Sequence, residues 1–350
     1  MEPVRLGIIG CGVIGNVHMA CAKMSPFMDL VAIADLREEA VAQAAAKHGV
    51  ETTYASGDAL LEDDRVEAVV LAMPTCHRTR LALRAFERGK HVLTEKPVAM
   101  NAAEVKRMMA AKGDRVAGCC SSRYSFLESA AATREFARTG ALGDVRVVHC
   151  RAVHAAGAKP NAPRPPWRLS RALNSGGIFV NWGCYDLDYL FGILNWSLKP
   201  RLALAATWPV APQLDYHAAE GSDAETHVVA LIRCEGGAVV SYERAESATS
   251  TTEEAWRIIG SRGTLHLRMK PGEGKKILYD TAGVEGQVSR TLWEGDESRD
   301  LIRCGPLEDF ALAIRDRREP RTNLARSLIL QKITDAVYAS ADTGRAVEIV

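Results

Sequence analysis

The glycine-rich segment Gly10–Gly15 constrains the fold of this 350-residue chain more than any other feature. It follows an apolar run, Val4–Ile9, that predicts a strand, and it opens a helical pattern over Val13–Met24. In a GxGxxG turn between a strand and a helix, the first glycine permits the tight turn and the second lets a pyrophosphate approach the backbone. The third glycine lets helix and strand pack closely. The pattern predicts a dinucleotide-binding turn with contacts from Gly10, Gly12, Val13 and Ile14.

An acidic residue follows this turn at the spacing that such a turn requires. Asp35 comes directly after the second predicted strand, Leu30–Ala34, and lies 20 residues after Gly15. A carboxylate there accepts hydrogen bonds from the ribose hydroxyls of NAD and repels the 2′-phosphate of NADP. NAD is therefore the predicted cofactor and NADP the less favoured one, although the nearby Arg37 softens the preference. The alternative interpretation is an ordinary glycine-rich turn with a surface aspartate.

Short apolar segments alternate with helical patterns over the first third of the chain. The segments are apolar throughout, as expected of parallel strands that are buried on both faces. This alternation predicts an α/β fold with a doubly wound parallel sheet, a Rossmann domain over residues 1–123. Besides the elements already named, the predicted strands are Ala68–Ala72, His91–Thr94 and Val116–Cys119, and the helices are Arg37–His48, His77–Arg88 and Ala102–Ala111.

The pattern changes after Arg123. Longer strand candidates joined by turn pairs such as Gly236-Gly237 predict an α+β domain over residues 124–350 with a mostly antiparallel sheet. Its C-terminal helices are expected to pack back on the Rossmann domain, and Pro160–Pro166 predicts an irregular loop. The predicted strands are Val145–Val153, Arg201–Trp208, Thr226–Cys234, Ala238–Glu243, Trp256–Gly260, Thr264–Arg268 and Ala346–Val350, and the helices are Glu128–Arg138, Gly177–Leu194, Pro306–Arg317 and Leu324–Ser340.

Composition excludes several classes of partner. The net charge is +1 without sign asymmetry, so neither nucleic acid nor an anionic membrane is expected as the main partner. We expect no signal peptide and no membrane span, because no apolar run reaches the length of about 18 residues that a span needs. The nine cysteines form no CxxC pair, which predicts neither a disulfide framework nor a structural zinc site and favours a reducing cytoplasm. The histidines show no ligand spacing, so no catalytic metal is expected.

The segment Glu95-Lys96-Pro97 follows the predicted strand His91–Thr94. The carboxyl ends of the strands in a doubly wound sheet face the ligand crevice. Lys96 is therefore expected to project toward the nicotinamide. A solvated surface lysine is the alternative that position alone leaves open.

These motifs together resemble the Gfo/Idh/MocA oxidoreductases, the family of glucose–fructose oxidoreductase and inositol dehydrogenase. The resemblance extends over essentially the whole chain, and the Glu-Lys-Pro segment in its Rossmann context is its most specific element. The residues that carry it are Gly10–Gly15, Asp35, Pro74-Thr75-Cys76-His77, Glu95-Lys96-Pro97, Trp167-Arg168, Gly176-Gly177, Asn181, Gly183, Tyr185, Asp188, Ile259-Gly260 and Gly263-Thr264-Leu265.

The resemblance implies an NAD(P)-dependent dehydrogenase or reductase that acts on a sugar, glycoside or cyclitol. It also implies an open-faced sheet in the second domain and a homodimer or homotetramer formed through that sheet. Lys96 would be the catalytic lysine, in contact with both cofactor and substrate. Met73, Pro74, His77, Glu95, Trp167 and Arg168 would complete the cofactor site. Arg123 and Tyr124 either reach the substrate or only fix the domain junction.

Two residues depart from the family pattern. Many members have aspartate and histidine where this chain has Asn181 and Tyr185, so the histidine general base of those members is missing here. A phenol has an unperturbed pKa of about 10, which a nearby cation such as Lys96 lowers by stabilising the phenolate. Tyr185 is the predicted acid/base, and Asn181 shares its helix face toward the substrate. Alternatively, Tyr185 only packs or binds the substrate, and Lys96 itself exchanges the proton.

Two other functions fit the same residues. One is a redox-neutral reaction, of glycosidase or eliminase type, in which tightly held NAD oxidises a sugar transiently and NADH then reduces the product. The other is a nucleotide-sensing regulator that keeps the fold without turnover. Retention of Lys96 argues against the regulator.

Overall fold

A computed structural model describes residues 2–162 and 165–350. Pro163 and Arg164, in the middle of the predicted Pro160–Pro166 loop, lie outside the described residues. The chain divides into two compact units. The first contains Met1–Arg123 and Asp300–Gln331, and the second contains Tyr124–Arg299 and Lys332–Val350.

The first unit is built on a parallel sheet of six described strands in the order β3-β2-β1-β4-β5-β6. Chain order reverses between β1 and β4, and the crevice outside the carboxyl ends of strands at such a reversal is where doubly wound folds bind ligands. The predicted doubly wound sheet is confirmed. The strands are β1 Val4–Ile9, β2 Met28–Ala34, β3 Thr52–Tyr54, β4 Ala68–Leu71, β5 His91–Thr94 and β6 Ala117–Cys119. The helices between them are α1 Val13–Met24, α2 Glu38–His48, α3 Gly57–Leu61, α4 Arg78–Glu87 and α5 Ala102–Ala111.

The second unit contains a sheet of nine described strands in the order β14-β13-β12-β11-β7-β10-β9-β8-β15. Strands β7 and β10 are parallel and the other pairs are antiparallel, which confirms the predicted mostly antiparallel sheet. The elements in chain order are α6 Glu128–Arg138, β7 Val145–Ala155, α7 Arg171–Asn174, α8 Cys184–Ile193, β8 Pro200–Trp208, β9 His227–Cys234, β10 Val239–Ala248, β11 Glu253–Gly260, β12 Thr264–Leu267, β13 Lys275–Gly283 and β14 Gly286–Gly295. The chain then forms α9 Arg299–Asp316, α10 Leu324–Thr343 and β15 Val347–Glu348.

A fully buried polar network attaches α8 to the sheet. Asp186 on α8 accepts hydrogen bonds from Tyr242 Oη at 2.9 Å, from Arg244 Nη1 at 2.7 Å and from Trp256 Nε1 at 3.0 Å. Neither Asp186 nor Arg244 has any exposed side-chain area. Because every partner comes from β10 or β11, the network fixes the orientation of α8 on this face of the sheet.

The opposite face of the sheet exposes apolar side chains. Leu204 and Trp208 on β8, and Val229 and Leu231 on β9, are each 40–51% exposed. Leu204 pairs with Leu231 across the two strands, so these residues form one continuous patch. A contiguous exposed apolar patch is typical of an interaction surface.

The helix predicted over Gly177–Leu194 is not regular. It begins with a π-helical segment at Phe179–Gly183 and becomes α-helical only at Cys184. The amide N–H groups of Gly177 and Phe179 donate to the buried carboxylate of Glu225 at 3.0 and 2.9 Å. Asn181 lies in the π-helical segment, so the assumption of regular α-helical spacing between Asn181 and Tyr185 was wrong.

One disulfide bond departs from the expectation drawn from the cysteine spacing. Cys21 on α1 is bonded to Cys304 on α9, both within the first unit. The two cysteines are 283 positions apart, so no local sequence pattern marks them as a pair. Among the described residues, no helix has the length and hydropathy that a membrane crossing requires.

Candidate active site

The glycine turn has the space that a dinucleotide needs. Gly10 has a φ of 106°, and a side chain at Gly15 would meet the Gly10 carbonyl oxygen at 1.8 Å. A Cβ at Gly12 would meet nothing within 4 Å. Gly12 also precedes α1 without a side-chain cap, so the N–H groups that begin this helix face an open space. This cradle fits a pyrophosphate.

The carboxylate of Asp35 is fixed beside this turn. Asp35 Oδ2 accepts from the Cys11 amide at 2.8 Å, and Oδ1 accepts from the Arg37 amide at 2.9 Å and from its guanidinium Nε at 3.2 Å. Partial burial raises the pKa of Asp35, but these hydrogen bonds outweigh burial and leave the pKa below its usual value. Asp35 therefore remains an ionised acceptor next to the glycine turn.

Arg78 connects the segments that follow β4 and β5. Its buried guanidinium donates to the carbonyl oxygens of Met73 at 2.7 Å, Glu95 at 2.7 Å and Pro97 at 2.5 Å. Arg78 thereby positions both Met73 and Lys96, which lies between two of its acceptors. No sequence motif singled out this arginine. Pro74 is half-buried, and the exposed His77 ends a 3₁₀ turn at Thr75–His77.

Glu95 is buried and already satisfied. Its Oε1 accepts from His18 Nε2 and from Arg123 Nη2, both at 2.9 Å, and its Oε2 accepts from the Lys96 amide at 3.1 Å. Burial raises the pKa of Glu95, but the charge of Arg123 and the hydrogen bond from His18 hold it far below the usual value. Glu95 therefore acts as a fixed anion that orients Lys96. His18 on α1 was not predicted, although it follows the glycine turn in sequence.

The donor atoms of His18, Glu95 and Cys120 lie within 4.8 Å of one another. Their residue types suit a metal ion. However, the Arg123 guanidinium occupies Glu95 and repels a cation, and burial raises the pKa of the Cys120 thiol well above its usual value. The absence of a catalytic metal stays a prediction.

Tyr185 lies in an aromatic cluster of the second unit. Its ring makes edge contacts with Tyr124 at 5.4 Å and with Trp182 at 5.7 Å between ring centres. Trp182 also contacts a charged group, because the Arg244 guanidinium lies 4.2 Å from the centre of its ring. Trp182 is therefore in contact both with Tyr185, the predicted acid/base, and with the buried network of Asp186.

A small cavity of the second unit brings together Arg168, Asn181 and Glu246. Glu246 accepts from Trp182 Nε1 at 2.9 Å and from Arg168 Nη2 at 3.3 Å. Trp167, which precedes Arg168 in the sequence, is 42% exposed. Glu246 was not predicted, because it lies beyond the predicted strand Ala238–Glu243 and a single acid there carries no motif.

The predicted residues thus form two groups. In the first unit they all follow the carboxyl ends of neighbouring strands: Gly10, Gly12, Val13 and Ile14 after β1, Asp35 and Arg37 after β2, Met73, Pro74 and His77 after β4, Glu95 and Lys96 after β5, and Arg123 after β6. In the second unit Tyr124, Asn181 and Tyr185 surround Trp182 and its partner Glu246. The pairing of Lys96 with Tyr185 stays a prediction.

Comparisons with known proteins identify the class of protein to which this fold and site belong. The family model described as "Oxidoreductase family, NAD-binding Rossmann fold" matches residues 4–117, and the GFO/IDH/MocA C-terminal domain matches residues 130–266. The chain belongs to the Gfo/Idh/MocA family of oxidoreductases. The predicted family, and with it the class of dehydrogenase or reductase, is confirmed.

Individual relatives are similar over most of their length. The chain is 28% identical to myo-inositol 2-dehydrogenase of Thermotoga maritima over 292 residues, which are 83% of this chain and 82% of the relative. It is 27% identical to D-xylose 1-dehydrogenase (NADP(+)) 2 of Haloferax volcanii over 356 residues, which are 99% of this chain and 100% of the relative. The structure of a levoglucosan dehydrogenase in complex with NADH and L-sorbose matches with a TM-score of 0.86 over 100% of both chains at 21% identity, which shows the shared fold.

Proposed function

We propose that this protein is an NAD-dependent oxidoreductase that transfers a hydride between nicotinamide and a secondary hydroxyl or keto group of a sugar, glycoside or cyclitol. The row of residues from Gly10 to Lys96 along the carboxyl ends of adjacent strands is the observation that carries the proposal. The relatives named for inositol, xylose and levoglucosan support the class of substrate.

The proposed chemistry divides between cofactor and protein. When bound, NAD supplies the nicotinamide carbon that accepts or donates the hydride. Lys96 orients the reacting hydroxyl, and its backbone is fixed by Glu95 and by the carbonyl contacts of Arg78. Tyr185, as the phenolate that the Lys96 ammonium stabilises, takes the hydroxyl proton at Oη in oxidation, and as the phenol it returns that proton in reduction. Trp167 and Arg168 complete the cofactor site, and Arg123, Tyr124 and Asn181 contact the substrate.

The preference for NAD over NADP rests on Asp35. Its carboxylate is ionised and points beside the glycine turn, where it would accept ribose hydroxyls and repel a 2′-phosphate. Arg37 is engaged with this carboxylate, so it is not held ready for a phosphate. The name of the xylose dehydrogenase shows that a relative uses NADP(+), which makes this preference a property to be measured.

We also propose a homodimer or homotetramer formed through the exposed face of the nine-stranded sheet. Leu204, Trp208, Val229 and Leu231 supply the apolar centre of that surface. A second copy would bring the same patch against it, so that the two apolar surfaces cover each other as in an isologous interface. For the compartment we propose the cytoplasm, a reducing environment that suits the seven cysteines outside the Cys21–Cys304 bond.

The decisive experiment is a turnover screen. The purified protein is incubated with NAD or NADP and a panel of monosaccharides, methyl glycosides and inositols, and absorbance of the reduced cofactor is followed. We expect reduction of NAD with at least one polyol and slower reduction of NADP. Cofactor that stays bound through purification, with substrate conversion but no net NADH, would support the redox-neutral alternative. NAD binding without any conversion would support the nucleotide-sensing alternative.

A further inference from the structure

A cluster of charged groups lies beside Trp182 in the second unit. His154 comes near the end of β7, Glu254 near the start of β11, and Lys270 shortly after β12. His154 Nε2 lies 2.7 Å from Glu254 Oε1, and Lys270 Nζ forms an ion pair with the same oxygen. These are three neighbouring strands of one sheet, so the cluster is assembled by the fold rather than by a local motif.

The cluster lies on the face of the sheet that carries the predicted site. Glu254 is two residues from Trp256 on β11, and successive side chains of a strand alternate between faces, so both project to the same side. Trp256 donates to Asp186 on α8 from that side. The neighbouring Glu253 points to the opposite face, where it bonds Arg151. The cluster of His154, Glu254 and Lys270 therefore lies on the same face of the sheet as α8, the helix that carries Tyr185.

Trp182 is in contact with both the cluster and Tyr185. Lys270 Nζ and the centre of the Tyr185 ring each lie 5.7 Å from the centre of the Trp182 ring. A hexose ring with hydrogen bonds at both ends is long enough to reach two groups that border the same indole ring. A sugar whose reacting carbon is at Tyr185 would therefore extend along Trp182 to this cluster.

The charge of the cluster determines which chemical group it suits. The hydrogen bond from His154, opposed by partial burial and assisted by Lys270, lowers the pKa of Glu254 to about 2, so its carboxylate is ionised at neutral pH. Lys270 offsets this charge, and the side chains of the three residues are 24–40% exposed and so reachable by a ligand. A carboxylate that accepts beside an ammonium that donates matches a pair of hydroxyl groups, each of which does both.

We propose that His154, Glu254 and Lys270 form a specificity subsite that binds a neutral vicinal diol of the substrate, on the side of the ring away from the carbon that is oxidised. This inference rests on the proposed function and adds the part of the substrate that the enzyme selects. It assigns Glu254 and Lys270 to binding and leaves proton transfer to Tyr185 and Lys96.

The test compares Glu254→Gln and Lys270→Met with the wild type, using the most active polyol found in the turnover screen. Each variant is expected to raise KM about ten- to hundred-fold, the effect of losing a hydrogen bond to a charged group, while kcat stays within about twofold. The matched control is Lys276→Met, which removes an ammonium from the exposed ion pair with Glu294 on β13 and β14. Melting temperatures of all variants identify any that fail to fold.

Substrate analogues sharpen the result. For the wild type, one monodeoxy analogue is expected to show the same rise in KM, and Glu254→Gln is expected to add nothing further with that analogue. Equal KM values for Glu254→Gln and wild type would overturn the subsite and leave the oxidoreductase intact. If no polyol is turned over, the proposed function fails separately, and binding of methyl β-D-glucopyranoside to the NADH-loaded protein is measured instead. Unchanged affinity in Glu254→Gln then overturns the subsite.

Discussion

At the scale of the residue, the role of each carboxylate depends on which groups donate hydrogen bonds to it. Asp35 accepts from two backbone amides and one guanidinium and still borders the open glycine turn. Glu95 is buried, and its two oxygens are taken up by His18, Arg123 and the Lys96 amide. The first can therefore bind ribose hydroxyls, whereas the second holds other groups in place.

Replacing Asp35 by serine is expected to shift the cofactor preference. The change removes the charge that repels a 2′-phosphate and releases the Arg37 guanidinium to bind one. The ratio of kcat/KM for NAD to that for NADP should fall at least about tenfold, the effect of roughly 1.4 kcal/mol. Steady-state kinetics with both cofactors measure it. The control is Asp29→Ser, an exposed acid at the other end of the same strand, and an unchanged ratio in Asp35→Ser would contradict the assignment.

Replacing Tyr185 by phenylalanine tests the predicted acid/base. The ring contacts with Tyr124 and Trp182 are retained, and only the hydroxyl is lost. We expect kcat to fall about 10²-fold or more, with loss of one limb of the pH–rate profile, since this is the usual contribution of a positioned proton donor. Tyr216→Phe is the matched control, because it removes a hydroxyl from the same unit outside the aromatic cluster. An unchanged turnover rate and pH profile would contradict the hypothesis and indicate that Lys96 itself exchanges the proton.

At the scale of the element, the strand that precedes Lys96 is held by a contact that depends on ionisation. His91 in β5 accepts a hydrogen bond at Nδ1 from the Val116 amide at 2.8 Å, which requires an unprotonated nitrogen. Burial and then the charge of Arg115 lower the pKa of His91 to about 4. Protonation of His91 would break this hydrogen bond, so the attachment of β5, the strand that precedes Lys96, depends on pH.

The first unit is expected to lose stability in mild acid through His91. A histidine whose folded pKa lies below its unfolded value of about 6.5 contributes stability at higher pH that is lost as pH falls toward the folded pKa. Between pH 7 and pH 5 the loss should be about 1–2 kcal/mol for a partly exposed group. Urea unfolding of wild type and His91→Gln at both pH values isolates it. The same pH dependence in both proteins would contradict this account.

Breaking the buried pair of Asp186 and Arg244 is expected to destabilise the second unit strongly. Asp186→Asn leaves a buried guanidinium without its counter-ion, at a cost of about 3–5 kcal/mol. Denaturant unfolding measures the change. Glu294→Gln serves as the control, because its pair with Lys276 is about half-exposed and such pairs contribute less than about 1 kcal/mol. A similar small effect at both sites would show that α8 is held by packing alone.

Local periodicity predicted most elements of the first unit, because parallel strands buried on both faces give short, fully apolar runs such as Val4–Ile9 and His91–Thr94. It missed β14, whose residues are mostly exposed at the sheet edge and so show no alternation. It also missed the π-helical segment at Phe179–Gly183, which depends on Glu225 from a distant part of the chain. Sequence motifs singled out Lys96 and Asp35. They did not single out Arg78 and Glu246, because the roles of these two residues arise only from tertiary contacts.

At the scale of the whole molecule, the exposed face of the nine-stranded sheet is the surface through which we propose that two copies assemble. Its apolar centre pairs Leu204 directly with Leu231, and Trp208 packs on His227 at 5.2 Å between ring centres. A patch of this kind is stable in water when a second copy covers it. Assembly would leave the groups around Trp182 on the other face of the sheet accessible to ligands.

A charge at the centre of this face is expected to prevent assembly. Leu231→Glu places a carboxylate against its own copy or against apolar side chains of the partner, and either arrangement is unfavourable. Sedimentation velocity should show a homodimer or homotetramer for the wild type and a monomer for the variant. Val288→Glu is the control, because Val288 is 61% exposed on β14 at the far edge of the sheet. An oligomer that persists in Leu231→Glu would place the interface elsewhere.

The Cys21–Cys304 bond makes residues 21–304 a covalent ring, from which residues 1–20 and 305–350 extend. The whole of Tyr124–Arg299, and with it most of the second unit, lies within that ring as an insertion. Closing so long a loop restricts the unfolded chain, and in the chain-entropy account the nucleotide-binding unit gains stability from this bond between α1 and α9. A reducing solution opens the ring and removes that gain. The redox state of the surroundings is thereby coupled to the stability of α1, the helix that follows the glycine turn.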